Sequence, residues 1–265
     1  MNRSMWTAAT GMSAQQLNID VISNNLSNTN TTGFKSEKLE FKDLMYQEIK
    51  NFNKKDDIGR PVNIEVGYGV MPSATNRNFE AGSLQDTGNT FDVAIIGENA
   101  FFEIQMPNGD SRYTRDGSFK LSVTEDGIKV TTSNGYSVIE SNGQPLQIPR
   151  DLTKYSIDEK GNVTGINNDE ETIFIGQIEL KKFINPKGLV SEGFNLYRST
   201  DASGDAKDLE EGSSVKVQSK YLEASNVKPV KEMIHMITAQ RAYELSSKAI
   251  TTSDEMLQIV NNLRR

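Results

Sequence analysis

The 39 residues from Val227 to Arg265, VKPVKEMIHMITAQRAYELSSKAITTSDEMLQIVNNLRR, carry the longest uninterrupted helical pattern in the chain. Apolar residues recur as Met233/Ile234, Met236/Ile237, Ala242/Tyr243, Ala249/Ile250, Met256/Leu257 and Ile259/Val260, and Leu263 closes a seam at three-to-four-residue spacing. Fully helical, the stretch would reach roughly 50 Å, about twice the diameter of a domain of ~100 residues. A seam that long outruns a compact core, so something outside that core must cover it. Asn226 or Lys228 is the expected cap, and Pro229 belongs in the first turn, where its missing N–H costs nothing. Glu244 and Lys248 make a favourable pair one turn apart, and Arg264-Arg265 suit the helix C-terminus.

A second seam lies at the other end. Met5, Ala8, Met12, Gln15, Ile19, Ile22 and Leu26 alternate three and four apart, with Gln15 the only polar member. Gly11 costs this helix about 1 kcal/mol relative to Ala, and its many Ser, Thr and Asn residues are indifferent helix formers, so it needs a partner. The run NNLSNTNTTG, Asn24 to Gly33, ends it by offering side-chain oxygens to backbone N–H groups. Helical period returns weakly through Phe41, Leu44, Met45 and Ile49, and predicts a further helix between Phe34 and Ile49. Asn51 to Pro61 is polar and reads as a loop or an extended excursion.

From about Val62 to Tyr221 the period becomes two. The runs FDVAII (Phe91 to Ile96), AFFEIQ (Ala100 to Gln105), GSFKLSV (Gly117 to Val123), IKVTT (Ile128 to Thr132) and TIFIGQIEL (Thr172 to Leu180) read as strands. Asn108-Gly109, Asp116-Gly117, Asp126-Gly127, Asn134-Gly135 and Asn142-Gly143 are hairpin-turn pairs, and five of them within 36 positions require antiparallel pairing. No helices alternate with these strands, which excludes a parallel βαβ sheet. The expected fold is α+β: long N- and C-terminal helices pairing as a coiled coil around a central antiparallel β body. The expected domains are 1–50 with 222–265 as a helical core, 51–75 with 200–221 as a partly extended connection, and 76–199 as the β domain. Small residues beside the seams (Ala8, Ala9, Ala14; Ala239, Ala242, Ala249) allow close helix approach, and Met5, Met12, Met233, Met236 and Met256 adapt to unlike neighbours.

Composition narrows the function classes. A net charge of −7 and basic residues scattered without a block argue against nucleic acid. The absence of Cys removes disulfides and thiolate metal sites. No stretch of about 18 apolar residues suggests a membrane span, and no basic region followed by an apolar core suggests a cleaved leader. The single histidine, His235, has no partner histidine and sits between Ile234 and Met236, so it reads as a helix residue and not as a base or ligand. Asp56-Asp57, Asp169-Glu170-Glu171, Glu210-Glu211 and the group Asp201, Asp205, Asp208 lack the spacing that wraps calcium and read as solvated turns. Gly67-Tyr68-Gly69 lacks the third glycine of a dinucleotide loop and reads as a close backbone approach or a bulge. No catalytic constellation, metal site or cofactor is expected, nor a small-molecule substrate.

Three segments carry a resemblance. ATGMSAQQLNIDVISNNLSNTNTTGFKSE (Ala9 to Glu37), DVAIIGENAFFEI (Asp92 to Ile104) with Tyr113-Thr114-Arg115-Asp116-Gly117, and YLEASNVKPVKEMIHMITAQRAYELSSKAITTSDEML (Tyr221 to Leu257) resemble the signatures of the bacterial flagellar rod and hook family. One departure is Ala100, where the family commonly has Gly before the two phenylalanines, a change expected to act on a turn. The resemblance implies an axial subunit of the flagellar basal body, with no enzymatic activity, that polymerises as a helical homopolymer and transmits torque. It implies helices lining an inner tube, export through the flagellar type III apparatus without a cleaved signal peptide, and a periplasm-spanning location. Implied partners are further copies of itself, other rod and hook subunits and their junction, the ring proteins around the rod, and the export apparatus. The excursion from about Tyr46 to Val66 is associated in this family with a stiff, straight rod. The expected self-assembly interface is Met5, Ala8, Met12, Ile19, Ile22, Asn24, Asn25, Leu26, Asn28, Gly33 and Phe34 at one end and Ile234, Ile237, Arg241, Tyr243, Ala249, Met256, Val260 and Leu263 at the other. Unassembled termini should be poorly helical, since their seams are covered only by neighbours. The rival reading from the residues alone is a secreted β-rich adhesin or binding module with helical oligomerisation ends.

Overall fold

The computed structural model describes residues 3–50, 64–124, 127–149, 152–167, 171–209 and 214–263. The loop expected at 51–61, the acidic pairs at 56–57 and 210–211, most of the 169–171 run, Asp126 and Arg264-Arg265 lie outside them. The chain forms two compact units, one of residues 1–27, 37–76 and 228–265 and one of residues 28–36 and 77–227. The fold class is α+β, with a helix at each end of the sequence and antiparallel strands between.

The first unit holds both helices, α1 (Arg3–Ser27) and α2 (Pro229–Leu263). They run antiparallel and in register. Ser4 Oγ lies 3.1 Å from Ser253 Oγ, a Cβ on Gly11 would lie 3.3 Å from Ser246 Oγ, and Asn25 Nδ2 donates to Glu232 Oε2 at 3.4 Å. Every step forward along α1 is matched by one step back along α2 in these three pairs. These pairs are built from Ser, Gly, Asn and Glu, with Ala14 and Ala239 buried on the helices, and Ile22 is the one large apolar residue of the expected seams that is buried. On α1 these contacts lie about 100° of helix rotation from one row of the expected seam (Met5, Met12, Ile19, Leu26) and about 40° from the other (Ala8, Gln15, Ile22). Gly11, a cost to an isolated helix, is what lets α2 approach.

A two-stranded ribbon accompanies α1, and it replaces the helix expected between Phe34 and Ile49. Strand Glu37–Asp43 pairs with Val70–Arg77, and Tyr46–Lys50 pairs antiparallel with Ile64–Gly67. Between them Leu44 N–H donates to Gly69 O at 2.9 Å and Tyr68 N–H to Met45 O at 3.2 Å, which makes the two pairs one continuous ribbon. The ribbon lies along the helix: the Asn25 side chain bonds Glu37 N–H and C=O at 2.9 and 2.7 Å, a Cβ on Gly69 would be 2.2 Å from Thr10 Oγ1, and Arg3 reaches Gln47 and Tyr68. The lengths agree. From Arg3 to Asn25 is roughly 33 Å of helix, and from Glu37 to Gln47 is roughly 33 Å of strand. Gly67-Tyr68-Gly69 is thus a close approach, with Gly67 opposite Tyr46 and Gly69 against α1.

The second unit is the β body. Strand Ala100–Gln105 is its centre, paired with Ser111–Thr114, Leu180–Lys182 and Ser137–Val138 in the largest sheet. It is buried on both faces. Phe102 packs with Val93, Ile104, Phe119 and Val130 in one core, while Phe101 meets Phe79, Phe183 and Tyr197 edge-to-face in another. A three-stranded sheet, Leu152–Ile157, Asn162–Asn167 and Thr172–Gln177, adds Ile157 and Val163 to the first core. Gly109, Gly135 and Gly143 have positive φ at hairpin turns, as their pairs with Asn predict. Asp116-Gly117 is not such a turn: Gly117 keeps ordinary φ, and a Cβ there would sit 1.7 Å from Val93 O. Ala100 is fully buried, and the positive φ falls on Asn99 before it.

Candidate functional site: the junction of the three motifs

The three sequence motifs meet in the β unit. Glu223, from the strand Tyr221–Glu223, is held by its pairing with Leu84–Asp86 and points its carboxylate inward. Its Oε1 accepts from Lys35 Nζ at 2.5 Å and Gly82 N–H at 2.9 Å, and its Oε2 accepts from Arg115 Nε at 3.0 Å. Lys35 also donates to Glu80 O at 2.8 Å. Arg115 also donates to Ala100 O at 2.7 Å and Gly97 O at 3.2 Å, with its guanidinium 5.9 Å from the Phe101 ring centre. All three side chains are within 1% of complete burial.

Burial, and next the charge of Arg115, pull the Lys35 ammonium down to about 8 against the opposing pull of Glu223. Burial pushes Glu223 up, but Arg115 and Lys35, with the bonds from Lys35 and Gly82, hold it below the usual carboxylate range. Two cations thus share one anion. Removing Glu223 costs about 3–5 kcal/mol, because both cations are then left buried without their anion.

Backbone contacts reinforce the junction. Gly33 N–H donates to Glu223 O at 2.7 Å, Asn226 Oδ1 accepts from Ser36 N–H at 2.8 Å, and Asn226 Nδ2 donates to Asn78 O at 2.8 Å. Asn226 therefore ties the two linker segments together and does not cap α2, whose first residue is Pro229. Gly33 has φ +67°, and a Cβ there would lie 2.7 Å from Asp116 N. Thr32 Oγ1 bonds Asp116 at 2.9 Å, and Asn195 Nδ2 donates to Thr32 O at 2.9 Å. Asn195 was not legible as a junction residue; its only sequence signal is the Asn of a tight turn.

The expected interface residues divide into three groups. Ile234, Ile237, Arg241, Ala249, Met256, Val260 and Leu263 of α2 and Asn24 of α1 are exposed. Met5, Ala8, Met12, Ile19, Leu26, Asn28, Phe34 and Tyr243 are half-buried. Ile22, Asn25 and Gly33 are buried, Asn25 against the ribbon and Gly33 against the junction. His235 is exposed on α2. Asp208 pairs with Lys181, which Glu179 and Glu103 also meet at 2.8 and 3.6 Å. Among the described residues no cluster of three His, Asp or Glu could hold a metal ion, and no helix is long and apolar enough to cross a membrane.

A helix-ended chain with a two-faced β body, whose buried polar residues lock segment to segment, is in class a structural protein. Three family models match it: "Flagella basal body rod protein" over residues 5–35, "Flagellar hook protein FlgE/F/G D1 domain" over 94–165, and "Flagellar basal body rod FlgEFG protein C-terminal" over 218–263. Each region supplies one member of the buried cluster. The chain is 45% identical to the flagellar basal-body rod protein FlgG of Borreliella burgdorferi over 100% of both chains. It is 41% identical to FlgG of Buchnera aphidicola subsp. Schizaphis graminum over 98% of this chain and 99% of that one, and 37% identical to FlgG of Bacillus subtilis over 100% of both. A solved structure, the Helicobacter pylori flagellar hook protein FlgE2, aligns with 71% of this chain and 56% of its own at 14% identity and TM-score 0.25, too low to bear on the fold. The chain belongs to the flagellar basal-body rod protein family, among the FlgG proteins. It is a structural subunit of the distal rod in the flagellar basal body, and not an enzyme.

Proposed function

We propose that the subunit polymerises into the rod through the outward faces of its two helices, and that the observation carrying this is the two-sidedness of α2. One face of α2, through Glu232, Ala239, Ser246 and Ser253, is small and polar and lies on α1. The opposite face carries Val230, Ile234 and Ile237, with Leu245 and Ile259 on its flanks, each 51% exposed or more. A helix that spends its small residues on its partner and leaves its large ones in water is built for a second neighbour. Contacts spaced seven residues apart, at Ser4 and Gly11 and again at Asn25 two heptads on, support a coiled-coil pairing of α1 with α2.

In the polymer the unit that holds both helices forms the inner tube, and the β unit meets the ring proteins. The exposed α2 residues and Asn24 make direct contacts between copies, with Met5, Ala8, Met12, Ile19, Leu26, Asn28, Phe34 and Tyr243 at their margins. Ile22, Asn25 and Gly33 act by holding those segments in place. The subunit is exported through the flagellar apparatus, spans the periplasm as part of the rod, and passes torque from proximal rod to hook. The variant I234D/I237D tests the interface: the monomer should keep its circular dichroism and form no sedimenting polymer. Polymers as abundant as wild type would sink the assignment.

A further inference from the structure

Glu223 is the carboxylate that faces both Lys35, 188 residues away in the chain, and Arg115, 108 residues away. Arg115 is already part of the β body, where Ala100 and Gly97 offer it carbonyls. Lys35 enters from the segment that follows α1, and Glu223 from the segment that precedes α2. Without Glu223, seating Lys35 would bury two cations against carbonyl oxygens alone, with Glu80 O as the remaining acceptor for Lys35.

We propose that Glu223 is a closing residue: the segment Thr31–Ser36 seats on the β body only together with Tyr221–Val227, because Glu223 supplies the counter-charge that lets Lys35 and Arg115 share one buried space. The two stretches of chain that lead into the helices are then fixed as a unit or not at all. Their mutual contacts fit this. Gly33 N–H donates to the Glu223 carbonyl, Asn226 N–H to Phe34 O at 3.4 Å, and Ser36 N–H to the Asn226 side chain. Further out, Arg77 lies 5.2 Å over the Tyr197 ring, whose phenol is raised chiefly by burial. The carboxylate of Glu80 is turned away, to the Asn78 amide at 3.0 Å. This is a property of the single folded chain and holds whether or not the helices drive polymerisation.

The test is the full chain carrying E223Q, with K35M and K35M/E223Q beside it. E223Q should raise amide exchange at Gly33 and Ser36 at least tenfold, while Phe101 and Phe102 in the central strand keep their protection. Its stability deficit against wild type should be largest near pH 6 and shrink as pH rises to about 8, because Lys35 facing Arg115 alone gives up its proton sooner than Lys35 held by Glu223. K35M/E223Q should be more stable than E223Q at neutral pH, and should lose that pH dependence. If E223Q does not fold near pH 6, its refolding on raising the pH reads the same effect. A deficit constant from pH 6 to 9, or a double variant no better than E223Q, would overturn the proposal.

Discussion

Lys35 and Glu223 pull the pH dependence of stability in opposite directions. Glu223, held below its unfolded value, contributes stability that is present above about pH 4.5 and fades as pH falls through its folded value. Lys35 is also depressed, but it is a base. Between about 8 and 10.5 the unfolded chain still binds a proton that the folded chain has released, so stability rises with pH across that window. Tyr197 and Tyr113 act above it, since burial raises both phenols and the unfolded chain ionises first. Stability should therefore climb from pH 8 toward 10 and fall beyond, with the Lys35 share on the order of 3 kcal/mol at most. Urea midpoints across that range measure it, and K35M should flatten the climb. A wild type already falling from pH 8 would mean that the folded chain does not release the Lys35 proton before the unfolded chain does, so that burial does not depress it.

At the level of elements, the helix pair was legible in outline and wrong in detail. Three-to-four spacing finds any amphipathic face, and α2 has two of them. Large residues advertise the outer one, whereas Ala239, Ser246 and Ser253 are invisible to a hydrophobic count. The ribbon was misread for a related reason. Of Glu37–Asp43 only Leu39 is buried, so no alternation marks it, and its partner Val70–Arg77 lies about thirty residues on. Strands of the β body with a buried face, such as Ala100–Gln105, were read correctly, as were the Asn-Gly turns. The junction was visible only as quoted motifs, because pairing Lys35 with Glu223 needs the fold. The division of α2 makes a prediction. A239L, which enlarges a residue 3% exposed in the helix contact, should cost about 1–3 kcal/mol, and I237A, 51% exposed, within about 0.5 kcal/mol in the monomer. Equal losses in far-UV melts would place the large residues inside the pair after all.

For the whole molecule, α2 is covered by α1 alone and α1 by α2 and the ribbon, and a tube that grows without closing needs unlike surfaces to meet. The face of α2 bearing Ile234 and Ile237 is one. Another is on α1, where Trp6 is 58% exposed and stands about 200° of helix rotation from Ser4 and the α2 contact. Pairing α2 faces with each other would close a two-fold dimer and stop. Setting the α2 face of one copy against the α1 face of the next leaves a free surface at each end of every oligomer. The chain has one tryptophan, so this choice can be read directly. Trp6 emission should shift to the blue in proportion to sedimenting polymer, and helix content should rise with it, because the small-residue contact between α1 and α2 holds the helices only marginally before assembly. Polymer that forms with Trp6 still in water and its helix content unchanged would remove α1 from the interface, leaving α2 and the β body to carry growth.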